Sequence, residues 1–116
     1  MAIESMTPEE YRKMLAEAMT EKAFQAKVRK LATDHGWSVY CWWSSLHSPA
    51  GWPDLVLIRE VNESQARMVI AENKSEKGKL TPAQEETHRL LRMAGHKVYV
   101  WHPLDLLEGR IEEILR

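Results

Sequence analysis

Apolar positions along the chain follow two rhythms, and the changes between them divide it into elements. Thr7-Pro8-Glu9-Glu10 reads as a helix start, with Thr7 as cap, Pro8 at the first helical position and Glu10 closing a capping box. The helix it opens is expected over about Pro8 to Met19, with Tyr11, Met14 and Leu15 as a modest apolar side. Thr20 offers a second cap. Phe24, Val28 and Leu31 then recur at helical spacing, so Glu21 to His35 is the stronger helix, stopped by Gly36. Two separate helices are the preferred reading, with one bent helix as the alternative.

Beyond Gly36 the pattern becomes that of strands. Ser38 to Trp43 is rich in β-branched and aromatic residues and predicts a strand, while Ser44 to Trp52 collects Ser, Pro and Gly and predicts a loop. Pro53 to Arg59 begins a second strand, Val61 to Ala66 makes the turn, and Arg67 to Lys74 is a third strand. After a short charged loop, Ser75 to Lys79, the trio Thr81, Pro82 and Gln84 repeats the capping box. It opens a helix to about Ala94, with Gly95 as its stop and Ala83, Thr87, Leu90, Leu91 and Ala94 as its expected packed side. Lys97 to Trp101 is a fourth strand, and Leu104 to Leu115 a last amphipathic helix. Short turns make the first three strands an antiparallel meander. The helix before the fourth is long enough to return it parallel to the third. The expected fold is α/β, a mixed four-stranded sheet flanked by helices.

Composition narrows the class. A chain of 116 residues is one domain's worth, 1–116 as a single unit, and 44% hydrophobic with 28% charged residues argues against wholesale disorder. The lone Cys41 excludes an internal disulfide and fits a reducing cytoplasm. No apolar run reaches membrane-helix length, and the opening MAIESMTPEEYRK has no signal core. A net charge of -1 means that bulk charge does not announce a nucleic-acid partner, so any such case rests on local sites. His35, His47, His88, His96 and His102 with Cys41 show no paired-ligand spacing, which argues against structural zinc.

The local case is the second and third strands. If they pair about a turn centred near Glu63, facing residue numbers sum to about 126 and Asp54 lies opposite Glu72. Glu72 and Lys74, two apart on one strand, then share a face with Asp54; a slip of one residue would turn them away. That face continues through Val56, Ile58, Met68 and Ile70, and the other through Leu55, Leu57, Val69 and Ala71, so both should be covered. Two converging carboxylates repel unless a proton or cation intervenes, and oxygen ligands suit Mg²⁺ or Mn²⁺. A lysine beside that cation can hold a water or offset charge on a phosphate. A strand-end salt bridge between Lys74 and a carboxylate is the plainer alternative.

Gly51-Trp52-Pro53-Asp54 and Glu72-Asn73-Lys74 look like the two halves of the PD-(D/E)XK nuclease signature. With TEKAFQAKVRKLATDHGWSVY before them and KLTPAQ and AGHKVYVWHP after, the stretch from about Thr20 to Pro103 resembles the virus-type replication-repair nuclease (VRR-NUC) domain, particularly its small stand-alone phage and prophage members. The resemblance implies a restriction-endonuclease-like αβββαβ core with extra terminal helices. It further implies a Mg²⁺- or Mn²⁺-dependent endonuclease, a homodimer acting on branched or junction DNA, with no organic cofactor. Asp54 and Glu72 match the metal ligands and Lys74 the catalytic lysine, with the Asn73 carbonyl joining the metal shell. Glu21 matches the acidic residue of the first core helix, and Gln25 lies one turn on. Gln84 matches a glutamine expected near the site, although it also suits the cap of its own helix.

Lys77 and Lys79 beside the site, and Ser45 and His47 in the loop before Asp54, are candidate DNA contacts. Lys22, Lys27, Arg29 and Lys30 form a second basic patch, and a solvated mixed-charge surface is the alternative for each lysine. Trp52 is the indole placed to meet DNA, while Tyr11, Leu15 and the indoles of the first and last strands are candidates for a dimer surface. The competing functions are a non-catalytic DNA-binding module on a nuclease fold and a restriction-type endonuclease.

Overall fold

The computed structural model describes residues 5–41 and 49–116. Its helix starts follow from the caps. The Thr7 hydroxyl accepts the Glu10 N–H at 3.1 Å and the Glu10 carboxylate accepts the Thr7 N–H, which opens α1 (Pro8–Ala18). Thr20 caps α2 (Glu21–Asp34) through the Ala23 N–H. Met19 and Thr20 are extended between them, so the two stretches are separate helices.

Strands β1 (Ser38–Cys41), β2 (Leu55–Asn62) and β3 (Gln65–Asn73) run antiparallel, and after α3 (Pro82–Met93) strand β4 (Val98–Trp101) lies parallel to β3. The sheet order is β1-β2-β3-β4, the expected mixed α/β arrangement. Some boundaries move. Asp54 sits on the bend before β2 rather than inside it, and Lys74 lies just past the end of β3. Trp42 and Trp43 fall outside the described residues.

The register that places Asp54 is set by a bulge. The hairpin turns tightly at Glu63 and Ser64, with Asn62 paired to Gln65, so the numbers start at a sum of 127. Between Glu60 and Asn62 the register shifts by one, and from Glu60–Ala66 to Leu55–Ala71 the pairs sum to 126. Without that extra residue Asp54 would have faced Asn73, and Glu72 would have pointed to the opposite face.

One face of the sheet carries the core. Leu55, Leu57, Val69 and Ala71 pack with Phe24, Val28 and Ala32 of α2 and with Ile111 and Leu115 of α5 (Arg110–Leu115). The last helix is not continuous. α4 (Pro103–Leu107) ends at Gly109, whose φ of 79° is left-handed and breaks the helix that the apolar pattern predicts as one. Trp37 donates its indole N–H to the Leu115 carbonyl at 2.8 Å. The Arg59 and Arg67 guanidiniums lie over its ring, 4.7 and 5.1 Å from the centroid, and donate to the carbonyls of residues 114–116. Trp101 is buried in this core, so it is no part of a dimer surface.

The other face is covered only in part. Tyr40 and Met68 remain 57% and 48% exposed, against the expectation that both faces would be closed. The packed side of α3 also differs. His88 is fully buried, flanked by half-buried Gln84, Thr87 and Leu91, while Ala83, Leu90 and Ala94 face outward. Positions 84, 87, 88 and 91 form one continuous helical row, and that row meets the sheet although most of its side chains are polar.

Candidate active site

The loop into β2 is a tight turn seated against the start of α3. The Trp52 N–H donates to the Pro49 carbonyl, and Gly51 takes a φ of 82°, as a turn with a left-handed third residue requires. A Cβ on Gly51 would overlap the Ala83 carbonyl and crowd the Thr87 hydroxyl. Gly51→Ala is therefore expected to cost about 3 kcal/mol, part backbone strain and part overlap. Urea denaturation measures it; a loss under about 0.5 kcal/mol, the scale of an ordinary surface change, would show that the turn relaxes freely.

This turn delivers Asp54 to the end of β3. Asp54 Oδ2 accepts the Asn73 N–H at 2.8 Å, tying the bend to the last residue of that strand. The Lys74 N–H donates to the Trp101 carbonyl at 2.9 Å, tying the following residue to β4. Side chains alternate along this stretch. Glu72 points to the α3 side and is 1% exposed. Asn73 points into the core side, where neither end of its amide has a partner among the described residues. Lys74, half-buried, returns to the Glu72 side.

Glu72 sits between two neighbours. His88 Nε2 lies 3.2 Å from Glu72 Oε1, with both side chains out of solvent. On the other side lies the Asp54 carboxylate, near enough to raise the proton affinity of Glu72. Burial first, then Asp54, and at longer range Glu21, push the Glu72 carboxyl up to about 9, against the opposing pull of the Lys74 ammonium. His88 is pushed below its ordinary value by burial and by the Arg92 charge, so its imidazole is neutral at ordinary pH. Beside the acids opens an apolar cleft of about 250 Å³ lined by Tyr40, Cys41, Trp52, Pro53, Asp54 and Val56.

The VRR-NUC domain model matches residues 5–103 of the 116. The chain belongs to the VRR-NUC domain family. The match starts earlier than the expected Thr20 and takes in α1. Neither the curated proteins nor the solved structures yield a match. Membership makes this a nuclease domain of PD-(D/E)XK-like fold, with DNA as the implied substrate.

Nuclease domains of this fold generally use divalent metals. Among the described residues no three or more His, Cys, Asp and Glu side chains are gathered closely enough to hold a metal ion between them. A hard cation does not require three, since Mg²⁺ keeps several waters and takes one or two carboxylates. The donor set of the VRR-NUC domain fits. Two acids meet at the end of β3, Asp54 held by the Asn73 N–H and Glu72 out of solvent, and burial first and then Asp54 raise the Glu72 carboxyl, a charge imbalance that a hard cation would relieve.

The remaining candidates are less tightly gathered. Glu21, exposed at the first position of α2, is near enough for its charge to act on Glu72, and Gln25 is half-buried one turn on. Gln84 uses its Oε1 to accept the Thr81 N–H at 2.9 Å, the capping alternative weighed for it. Lys77 and Lys79 line a separate shallow groove with Glu76, Glu85 and His102. In the second basic patch Lys30 is paired with Asp34. Ser45 and His47 lie outside the described residues. His88 is the residue that sequence reasoning missed. The available signal was its place four residues after Gln84, on the helical row that faces Glu72.

Proposed function

We propose that this VRR-NUC domain is a Mg²⁺- or Mn²⁺-dependent DNA endonuclease that hydrolyses phosphodiester bonds in branched DNA, four-way junctions in particular. One observation carries the reading. Asp54, held by the Asn73 N–H at 2.8 Å, and the buried Glu72 meet at the end of β3 within the field of the Lys74 ammonium.

Asp54 and Glu72 would hold the cation, with the Asn73 carbonyl as a further ligand and Glu21 reaching it through water. Bound there, the cation supplies charge that makes a water nucleophilic and offsets the charge building on the phosphate. The chain's own groups do the rest. The Asn73 N–H holds Asp54 in place. The Lys74 ammonium orients the attacking water and balances the growing phosphate charge. Lys77, Lys79, Gln25, Ser45 and His47 would be DNA contacts, and Gln84 would act at the site or on the adjoining backbone.

A homodimer completes the proposal, because a two-fold pair of sites reaches both strands of a symmetric junction and one site does not. Exposed Tyr11 and Leu15 on α1 are the candidates for its surface. No sequence-reading element is evident in the chain, which favours selection by DNA shape over base contacts.

The test is incubation with nicked, flapped, four-way and linear duplex DNA in Mg²⁺ or Mn²⁺. Cutting of the four-way substrate, lost in EDTA, is the expected result. Binding without cutting under either cation would point to a DNA-binding module instead, and discrete cuts in linear duplex to a restriction-type enzyme.

A further inference from the structure

His88 is a fully buried histidine on the inner row of α3, and the proposed reaction gives it no task. Its Nε2 lies 3.2 Å from Glu72 Oε1, while Nδ1 has no partner among the described residues. A buried polar side chain with one contact, and that contact a candidate metal ligand, calls for an account.

Packing alone does not supply it. The core on the opposite face, built from residues such as Phe24, Leu55 and Leu57, is filled by apolar side chains, and leucine at position 88 would fill the space of His88 without leaving Nδ1 unsatisfied. What leucine lacks is a group that engages one oxygen of Glu72. Glu72 has three side-chain torsions to restrain. Its backbone is fixed in β3 opposite the end of β4, through the pair with Val100. The hydrogen bond from α3 holds the far end of the side chain.

We propose that His88 is a positioning residue for Glu72: it donates from Nε2 to Oε1 and so turns Oε2 toward the divalent cation shared with Asp54. The inference rests on the metal-dependent reading above and deepens it. Gly51 bears on the same geometry, because its close seat on Ala83 and Thr87 fixes α3 against the loop that delivers Asp54. Both acids are thus indexed to one helix, Asp54 through the turn and Glu72 through His88. Partners of this kind typically alter metal affinity about 10- to 100-fold when removed.

The experiment measures Mn²⁺ affinity by EPR, without DNA, for the full chain and its His88→Leu and His88→Gln variants. Leu keeps the volume and removes the donor; Gln places an amide N–H₂ where Nε2 stood. His88→Leu should bind Mn²⁺ about 10- to 100-fold more weakly with its thermal midpoint little changed, and His88→Gln should recover most of that loss. Equal affinity in wild type and His88→Leu would overturn the inference and leave the metal reading standing. Wild type that binds no Mn²⁺, or binds it as well after Asp54→Ala, would overturn the metal reading itself. Should His88→Leu fail to fold, the unaltered protein still decides. NMR of the Mg²⁺-loaded chain should find the His88 proton on Nε2, because an ionised Glu72 can only accept; a proton on Nδ1 would overturn the inference.

Discussion

Lys74→Ala is expected to lower the rate of DNA cleavage by about 10²- to 10³-fold, with affinity for DNA nearly unchanged. The lysine backbone is pinned by its N–H to the Trp101 carbonyl, so the side chain starts from a fixed point at the end of β3. Its ammonium is near enough to oppose both the proton affinity of Glu72 and the protonation of His88. A charge at that position acts on whatever develops beside the two acids, which in hydrolysis is a phosphate gaining negative charge. Cation affinity should not fall in this variant and should rise slightly, because a neighbouring positive charge has been removed. Asp54→Ala differs in kind. It removes a proposed ligand and leaves the Asn73 N–H without its acceptor, so cation affinity and activity fall together. Single-turnover cleavage with parallel Mn²⁺ titrations separates the two patterns. Full activity in Lys74→Ala would remove the lysine from the mechanism.

The second large effect is on stability. In EDTA the folded protein should lose stability as pH rises from about 4.5 towards 9. The sign follows from linkage. Glu72 has an ordinary value of 4.5 and is raised to about 9 in the fold, so across that window the folded state binds a proton that the unfolded state has released. Below the window both states are protonated and nothing is lost. Within it the loss grows by about 1.4 kcal/mol per pH unit, and by pH 7 it reaches about 3 kcal/mol. Glu72→Gln keeps the shape without the ionisation, so wild type minus variant, measured by urea denaturation at several pH values, isolates this group from the other titrating residues. Saturating Mg²⁺ should reverse the trend, since a cation bound only by the folded state stabilises it and favours the ionised acid. Parallel profiles for the two proteins would show that Glu72 ionises freely in the fold.

Much of this architecture was legible from local chemistry. Thr7 and Thr81 close capping boxes with residues three positions on, an interaction that needs no distant partner. The pairing of Asp54's loop with Glu72 was also legible, although through a compensation. A turn centred at Glu63 and a tighter turn followed by a bulge lead to the same register. Gly109 was harder to read. It breaks the final helix with a left-handed residue inside an apolar pattern that continues on both sides.

The face of α3 was not legible. Its apolar residues Leu90 and Met93 point outward while the row with His88 goes in, because burial is decided by the surface that a helix meets and not by its own letters. That surface is Glu72, brought there by a strand sixteen residues earlier in the chain. Residue order was therefore enough to point to the family and to propose the two acids and the lysine, since these lie in two short segments. The histidine that touches one acid, the burial that raises the Glu72 carboxyl, and the half-open face beside them arose only when separate elements packed. Proximity between distant segments, and the solvent it excludes, is a property of the folded chain.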